Sequence, residues 1–239
     1  MTGMSGELSV LWSLLRGQRR RGPFAERLES FYAPQARDYD RFRDRLLHGR
    51  AELLERLALK PGDSVVELGA GTGRNLEFLG ERLRGLRSVV LVDLCPSLLR
   101  VARERARNWP NVRIVEADAA RFRTDDPVDR VYFCYTLTMM PSWKRAIDNA
   151  LQMLRPGGRI GVADFHLPDP DSLSGKFWRR WFAHDGVHLG ASHVAYLEAK
   201  TVPLYSREMR GSVPYLPGLR MPYYLYVGRK RGPAQPVPQ

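Results

Sequence analysis

Cysteine is nearly absent: Cys95 and Cys134 are the only two in 239 residues. A disulfide framework is thereby excluded in practice, and a reducing, cytoplasmic setting is the default expectation. Histidine is scarce as well, at five residues, and no Cys/His grouping has metal-ligand spacing, so no metal is expected. Long apolar runs are missing, and no segment is predicted to cross a bilayer. The stretch Leu8–Leu15 is too short for a secretory signal and runs into arginine rather than a cleavage site. Acid falls short of base, with 26 Asp and Glu against 38 Lys and Arg, a formal charge of +12. That excess favours a polyanionic partner, either nucleic acid or an anionic membrane surface, over which a generally basic solvated surface stands as the plain alternative. The length suits one substantial domain with additions, and no internal repeat is present.

What is there is organised around Val65-Val66-Glu67-Leu68-Gly69-Ala70-Gly71-Thr72-Gly73. Ser64–Leu68 is apolar and β-branched enough for a buried strand, and the glycines permit a tight turn into a helix at Arg74. Backbone against which a ligand can lie, next to the N–H groups of a helix start, makes an anion site. Asp93 ends the next strand, Ser88–Asp93, about 20 residues on, where a carboxylate reads a ribose diol. A dinucleotide fingerprint needs its third glycine three residues after the second; here the spacing is Gly69-x-Gly71-x-Gly73, preceded by Glu67. That E-x-G-x-G-x-G form resembles the S-adenosylmethionine signature of class I methyltransferases.

In chain order, Leu8, Leu11, Trp12 and Leu15 share a helical face before Arg16, Arg19, Arg20 and Arg21. This suits either a membrane interface or packing on the protein's own core. Phe24–Leu47 is helical with a break near Ala33 at Pro34, and Ala51–Leu59 is a further helix. After the glycine loop come a helix over Arg74–Leu83, strand Ser88–Asp93, helix Pro96–Arg107 and strand Asn111–Val115. Strand Val128–Cys134, helix Trp143–Leu154, a turn at Pro156-Gly157-Gly158 and strand Arg159–Asp164 follow. This alternation predicts an α/β, doubly wound Rossmann-like sheet, mostly parallel, plus N-terminal helices. Ser172–Phe182 reads as an aromatic helix and Ala183–His193 as a loop rich in His and Gly. Two late strands, Thr201–Met209 and Tyr223–Arg229, have no helix between them and make an antiparallel C-terminal edge, as at the end of a class I methyltransferase sheet. The expected division is a helical cap over 1–60 with a membrane-docking segment, a cofactor domain over 61–231, and a Pro-rich disordered tail over 232–239.

In such a sheet the ligand lies across the carboxyl ends of the strands. That gathers Gly69, Ala70, Gly71, Asp93, Leu94, Asp118, Ala119, Tyr135 and Phe165, with Asp118 and Ala119 placed for an adenine edge. By the class I resemblance Asp93 holds the ribose hydroxyls and Glu67 supports the loop near the methionine end. Cys134-Tyr135-Thr136-Leu137-Thr138-Met139-Met140-Pro141 follows the fourth strand in place of the N/D-P-P-Y/F/W motif of enzymes that methylate base amines, and no nucleic-acid partner is expected.

The run from Phe31 to Arg50, FYAPQARDYDRFRDRLLHGR, is similar to the N-terminal signature of the BtaB-type N-methyltransferases of betaine-lipid synthesis. The likeness continues through Glu67–Gly73, Phe133–Pro141 and Ala163-Asp164-Phe165-His166. It implies an N-methyltransferase that converts the amine of diacylglyceryl-homoserine to a trimethylammonium with three molecules of S-adenosylmethionine, at the cytoplasmic face of a membrane. Quinone-methylating relatives share a similar Tyr-Asp arrangement, which keeps a quinone or other small acceptor as the alternative; an RNA-associated protein of the same fold ranks below both. Aromatic faces bind a quaternary ammonium without hydrogen-bonding it; Tyr32, Tyr39, Tyr135, Trp143 and Phe165 are candidates, each set against ordinary core packing. His48 and His166 are candidates to take a proton or orient a tyrosine. Arg50 resembles the arginine that meets the cofactor's carboxylate, and Tyr39 counts among the cofactor contacts.

Overall fold

The computed structural model describes residues 22–35, 39–167, 176, 192–214 and 216–232. Helix α1 (Phe24–Tyr32), a 3-10 turn (Ala33–Gln35), α2 (Tyr39–Leu46) and α3 (Arg50–Arg56) precede the sheet. Then come β1 (Ser64–Leu68), α4 (Asn75–Leu79), α5 (Arg82–Gly85), β2 (Ser88–Asp93), α6 (Pro96–Ala106), β3 (Val112–Glu116) and β4 (Val128–Cys134). The chain continues with α7 (Trp143–Met153), β5 (Leu154–Phe165), α8 (Ser192–Lys200), β6 (Thr201–Val213) and β7 (Leu216–Lys230). The seven strands lie in the order β3-β2-β1-β4-β5-β7-β6. Strands β1 to β5 are parallel; β7 runs antiparallel to both β5 and β6.

Why β1 sits at the centre follows from its side chains. All five residues are buried, as a strand covered on both faces requires. Alternation sends Val65 into the apolar layer with Leu53, Leu57, Leu79 and Leu91, and sends Val66 and Leu68 into the opposite layer with Val131, Phe133, Ile147 and Val162. Glu67 falls on the Val65 side and is 1% exposed. The N-terminal helix adds a third, smaller cluster, in which Leu28, Phe31 and Tyr32 pack on Cys95 and Leu98. Glu29 fastens that contact: its carboxylate accepts from the Ser97 backbone N–H at 3.1 Å, from the Ser97 hydroxyl and from the Cys95 thiol at 3.0 Å. A distant side chain thus caps the start of α6.

Several boundaries differ from the sequence reading. The helix expected over Arg74–Leu83 is two helices, because Gly80 takes φ +53° and ends the first. Strand β3 starts at Val112 rather than Asn111, whose side-chain amide is spent on the carbonyls of Leu83 and Leu86 at 2.8 and 3.0 Å. The ladder between β4 and β5 already begins at Val128–Leu154 and resumes at Arg130–Arg159, so the Pro156-Gly157-Gly158 turn is looped out inside the strand rather than standing before it. Ser192 and His193 begin helix α8 instead of ending a loop; His193 and Leu197, one turn apart, are its buried side. The antiparallel edge is present and longer than expected at both strands. The amphipathic N-terminal segment, the aromatic helix at Ser172–Phe182 and the tail after Gly232 lie outside the described residues.

Candidate functional site

A crevice of about 330 Å³ opens at the carboxyl ends of β1, β2 and β4 and runs under α1 and α2. Its floor is the glycine loop, and the three glycines there serve different ends. Gly69 has φ +79°, and a Cβ on it would meet the Thr136 hydroxyl at 2.1 Å; it is needed so that the ends of β1 and β4 close on each other, not for a ligand. Gly73, at φ +67°, lets the loop pass Leu91 and Ala102 at 3.0 and 3.3 Å. Gly71 alone has room: its nearest neighbour is a Leu98 methyl at 3.8 Å, and its backbone faces the crevice.

Asp93 holds the loop from the next strand. One carboxylate oxygen accepts the Gly71 N–H at 2.8 Å and the other the Cys95 N–H at 2.9 Å. The Leu94 N–H is also directed at this carboxylate, which still keeps acceptor capacity for a donor from the crevice such as a ribose hydroxyl. Burial raises the pKa of this carboxyl, against the pull of the backbone N–H groups that bond it. Below it Glu67 accepts from Asn75 at 2.6 Å and from the Tyr132 hydroxyl at 2.8 Å. Its burial outweighs those bonds and pushes it up to about 7. Leu94, Asp118 and Ala119 line the far end. Asp118 spends one oxygen on the Ala120 N–H at 2.9 Å, and the Ala119 carbonyl is taken by Asn149 at 2.7 Å.

Arg50 lines the crevice from α3 and is 7% exposed. It donates through Nε to the Leu47 carbonyl at 3.2 Å and through Nη2 to Asp44 at 2.5 Å, over the ring of Phe78 at 5.0 Å. Tyr135 follows β4 at φ +56°, an unusual conformation for a side chain of its size. That places its ring edge-on to Phe165, with centroids 4.7 Å apart, and its hydroxyl donates to the His48 carbonyl at 2.7 Å. Tyr32 reaches the crevice from α1, its hydroxyl 3.1 Å from the Met139 sulfur.

The structure therefore brings Tyr32, Arg50, Glu67, Gly69, Ala70, Gly71, Asp93, Leu94, Asp118, Ala119 and Tyr135 to one crevice. It does not bring His48 or His166 there. The His48 ring leaves the site to meet the Ser212 carbonyl at 2.9 Å and to stack on Tyr223, because Gly211 of β6 makes room for it. His166 pairs with Glu208 at 2.9 Å on the far side of β5. Trp143 packs on His193 and Tyr196, outside the crevice, and is half-buried against the core. Tyr39 contributes backbone to the first turn of α2, and its side chain lies outside the described residues.

Sequence reasoning passed over the polar frame of the entrance. Asp40 accepts from the Thr72 hydroxyl at 2.6 Å and pairs with Arg105 at 2.6 Å; Asp44 pairs with Arg50 and with Arg74, the latter at 2.9 Å. Glu77 joins Arg74 to Arg105, at 2.8 Å from the latter. The available signal was the pair of acids four residues apart in an otherwise arginine-rich helix, which places both carboxylates on one face.

S-adenosylmethionine fits these residues: open backbone at Gly71, spare acceptor capacity on Asp93, and a guanidinium at the end near Glu67. Comparisons with known proteins agree. Residues 65–158 match the family model described as a methyltransferase domain. The ubiquinone/menaquinone biosynthesis C-methyltransferase UbiE of Vibrio vulnificus is 32% identical over 149 residues, 58% of this chain and 57% of that protein. Its counterpart in Ectopseudomonas mendocina is 29% identical over 153 residues, 60% of each. The chain thus spans about three fifths of the length of the curated relatives it matches. Among solved structures, the N-methyltransferase NodS of Bradyrhizobium japonicum in complex with S-adenosyl-L-homocysteine superposes with a TM-score of 0.60 at 18% identity, over 94% of this chain and 98% of that one. The phosphoethanolamine N-methyltransferase 2 of Haemonchus contortus in complex with S-adenosyl-L-methionine gives 0.69 at 13% identity, over 89% and 61%.

Proposed function

We propose that this chain is a class I S-adenosylmethionine-dependent methyltransferase, a reading its fold and crevice support, and that its acceptor is the amine of diacylglyceryl-homoserine. The product is the trimethylated betaine lipid. When bound, S-adenosylmethionine supplies an electrophilic methyl group for a lone pair aligned behind it. The chain's part is alignment and exclusion of water. Asp93 and the Gly71 backbone orient the nucleoside, Arg50 faces the carboxylate, and α1 with α2 cover the entrance.

The observation that carries an amine over a quinol is the wall built by Tyr32, Met139, Met140 and Pro141. These four residues carry no imidazole or carboxylate, the crevice's acids Asp40, Glu67, Asp93 and Asp118 already accept hydrogen bonds, and the Tyr135 hydroxyl donates to the His48 carbonyl. The amine is an ammonium at neutral pH and loses one proton to water before each of its three transfers, leaving a lone pair to attack; a quinol carbon instead needs its phenolic proton taken as the new C–C bond forms. The thioethers and the Tyr32 ring also suit a charged trimethylammonium that accepts no hydrogen bond. A diacyl substrate stays in its bilayer, because each CH₂ exposed to water costs about 0.8 kcal/mol. The headgroup must therefore be presented to a docked protein, and the arginines that follow Leu15 are the docking charge on this reading. The UbiE relatives favour a second reading, C-methylation of a quinone. Radiolabelled S-adenosylmethionine in a cell extract, split into polar lipid, quinone and RNA fractions, separates the readings. Label in polar lipid is expected, and label confined to the quinone or RNA fraction overturns the proposal.

A further inference from the structure

The polar frame of the crevice is one connected chain of charge: Arg50, Asp44, Arg74, Glu77, Arg105 and Asp40, each paired with the next. Three acids and three bases leave it neutral, and it ties α2 to the turn after the glycine loop and to α6. Its end at Arg50 differs from the rest. Arg50 is 7% exposed, it lines the crevice, and its Nη1 has no hydrogen-bond partner among the described residues. A buried guanidinium with one edge unused asks for an anion, and a carboxylate meets it best in a fixed orientation.

That orientation is set by Asp44. It holds Arg50 Nη2 on one oxygen while Arg74 Nε bridges both oxygens, at 3.1 and 3.0 Å. Burial pushes the Asp44 carboxyl up, but the bonds from Arg74 and Arg50 outweigh it and hold it below the usual carboxylate range, so it is ionised at neutral pH. Without it, Arg50 would retain only the Leu47 carbonyl and its contact over Phe78.

We propose that Asp44 is a positioning residue for the amino-acid end of the cofactor: by pinning Arg50 from α2 it aims the free edge of that guanidinium at the ligand carboxylate. The inference rests on the S-adenosylmethionine reading of the crevice. It assigns Arg50 with Asp44 to the amino-acid end of the ligand and leaves the nucleoside end to Asp93. The test is calorimetric titration of the full chain with two ligands, S-adenosylhomocysteine and methylthioadenosine, which has the same nucleoside and no amino acid. Asp44→Asn is expected to weaken S-adenosylhomocysteine ten-fold or more and to leave methylthioadenosine within two-fold, which also shows that the variant is folded. Asp44→Glu, which keeps the charge, is expected to recover most of the lost discrimination. Equal loss for both ligands, no loss for either, or an Asp44→Glu that behaves as Asp44→Asn overturns the proposal. If the unmutated chain binds neither ligand, the cofactor reading itself falls and the proposal with it.

Discussion

At the scale of single residues, the glycine loop separates packing from binding. Gly69 closes two strands and Gly71 faces the ligand, a division the sequence did not show because both positions follow the same spacing. Gly69→Ala is expected to lower stability by about 2 kcal/mol or more, since it meets Thr136 and a left-handed backbone together; chemical denaturation measures it. Asp93→Ala should weaken S-adenosylhomocysteine ten-fold or more in calorimetry, a loss of about 1.4 kcal/mol or more, through a lost ribose acceptor and a freed Gly71 N–H. Unchanged affinity would remove the ribose assignment. Glu67 carries a pH dependence whose sign is fixed. With its folded pKa raised from 4.5 to about 7, the native state keeps a proton that the unfolded state has lost. Stability therefore falls as pH rises between those values. Asp164, raised to about 6, and His193, lowered to about 4, titrate in the same range with opposite signs, so the test is a difference: in denaturation the wild type should lose stability relative to Glu67→Gln between pH 5 and pH 7.5. The motif residues Glu67, Asp93 and Asp118 were legible because chemistry and strand ends coincide there. His48 and His166 misled because a histidine's ring direction depends on its neighbours: Gly211 and Ser212 draw one away and Glu208 the other.

At the scale of elements, strands were easier to read than the helices that cover the site. A buried parallel strand is read from its mostly apolar run, and β1, β2 and β4 match the expected limits even though β1 buries Glu67 and β4 buries Asp129 and Arg130. Helix ends depend on single local events, such as the left-handed Gly80 that stops α4. The docking of α1 was illegible for another reason: its anchor, Glu29, acts on Ser97, 68 residues away. Glu29→Ala should cost about 1 kcal/mol as the loss of a helix cap. The helix it frees is the one carrying Phe24, Leu28 and Tyr32, so ligand protection of α1 amides in hydrogen exchange should weaken while β1 stays protected. Equal protection of α1 in the variant would show that the apolar cluster holds the helix unaided.

At the scale of the whole molecule, a mostly parallel sheet with a ligand crevice is combined with a strongly basic chain whose acceptor is proposed to lie in a membrane. The arginines after Leu15 should act through screened attraction, each worth about 1 kcal/mol near an anionic leaflet and fading with salt. Removing residues 1–22 should reduce sedimentation with anionic vesicles at low salt and leave S-adenosylhomocysteine affinity intact. Undiminished sedimentation would place the docking surface elsewhere. The central claim is the acceptor, and one measurement addresses it directly. The purified protein is incubated with S-adenosylmethionine and vesicles carrying either diacylglyceryl-homoserine or a demethylated quinol, and the lipids are read by mass spectrometry. Successive gains of one, two and three methyl groups on diacylglyceryl-homoserine, with the quinol unchanged, are the predicted result. Methyl gain on the quinol with none on the lipid amine would contradict it.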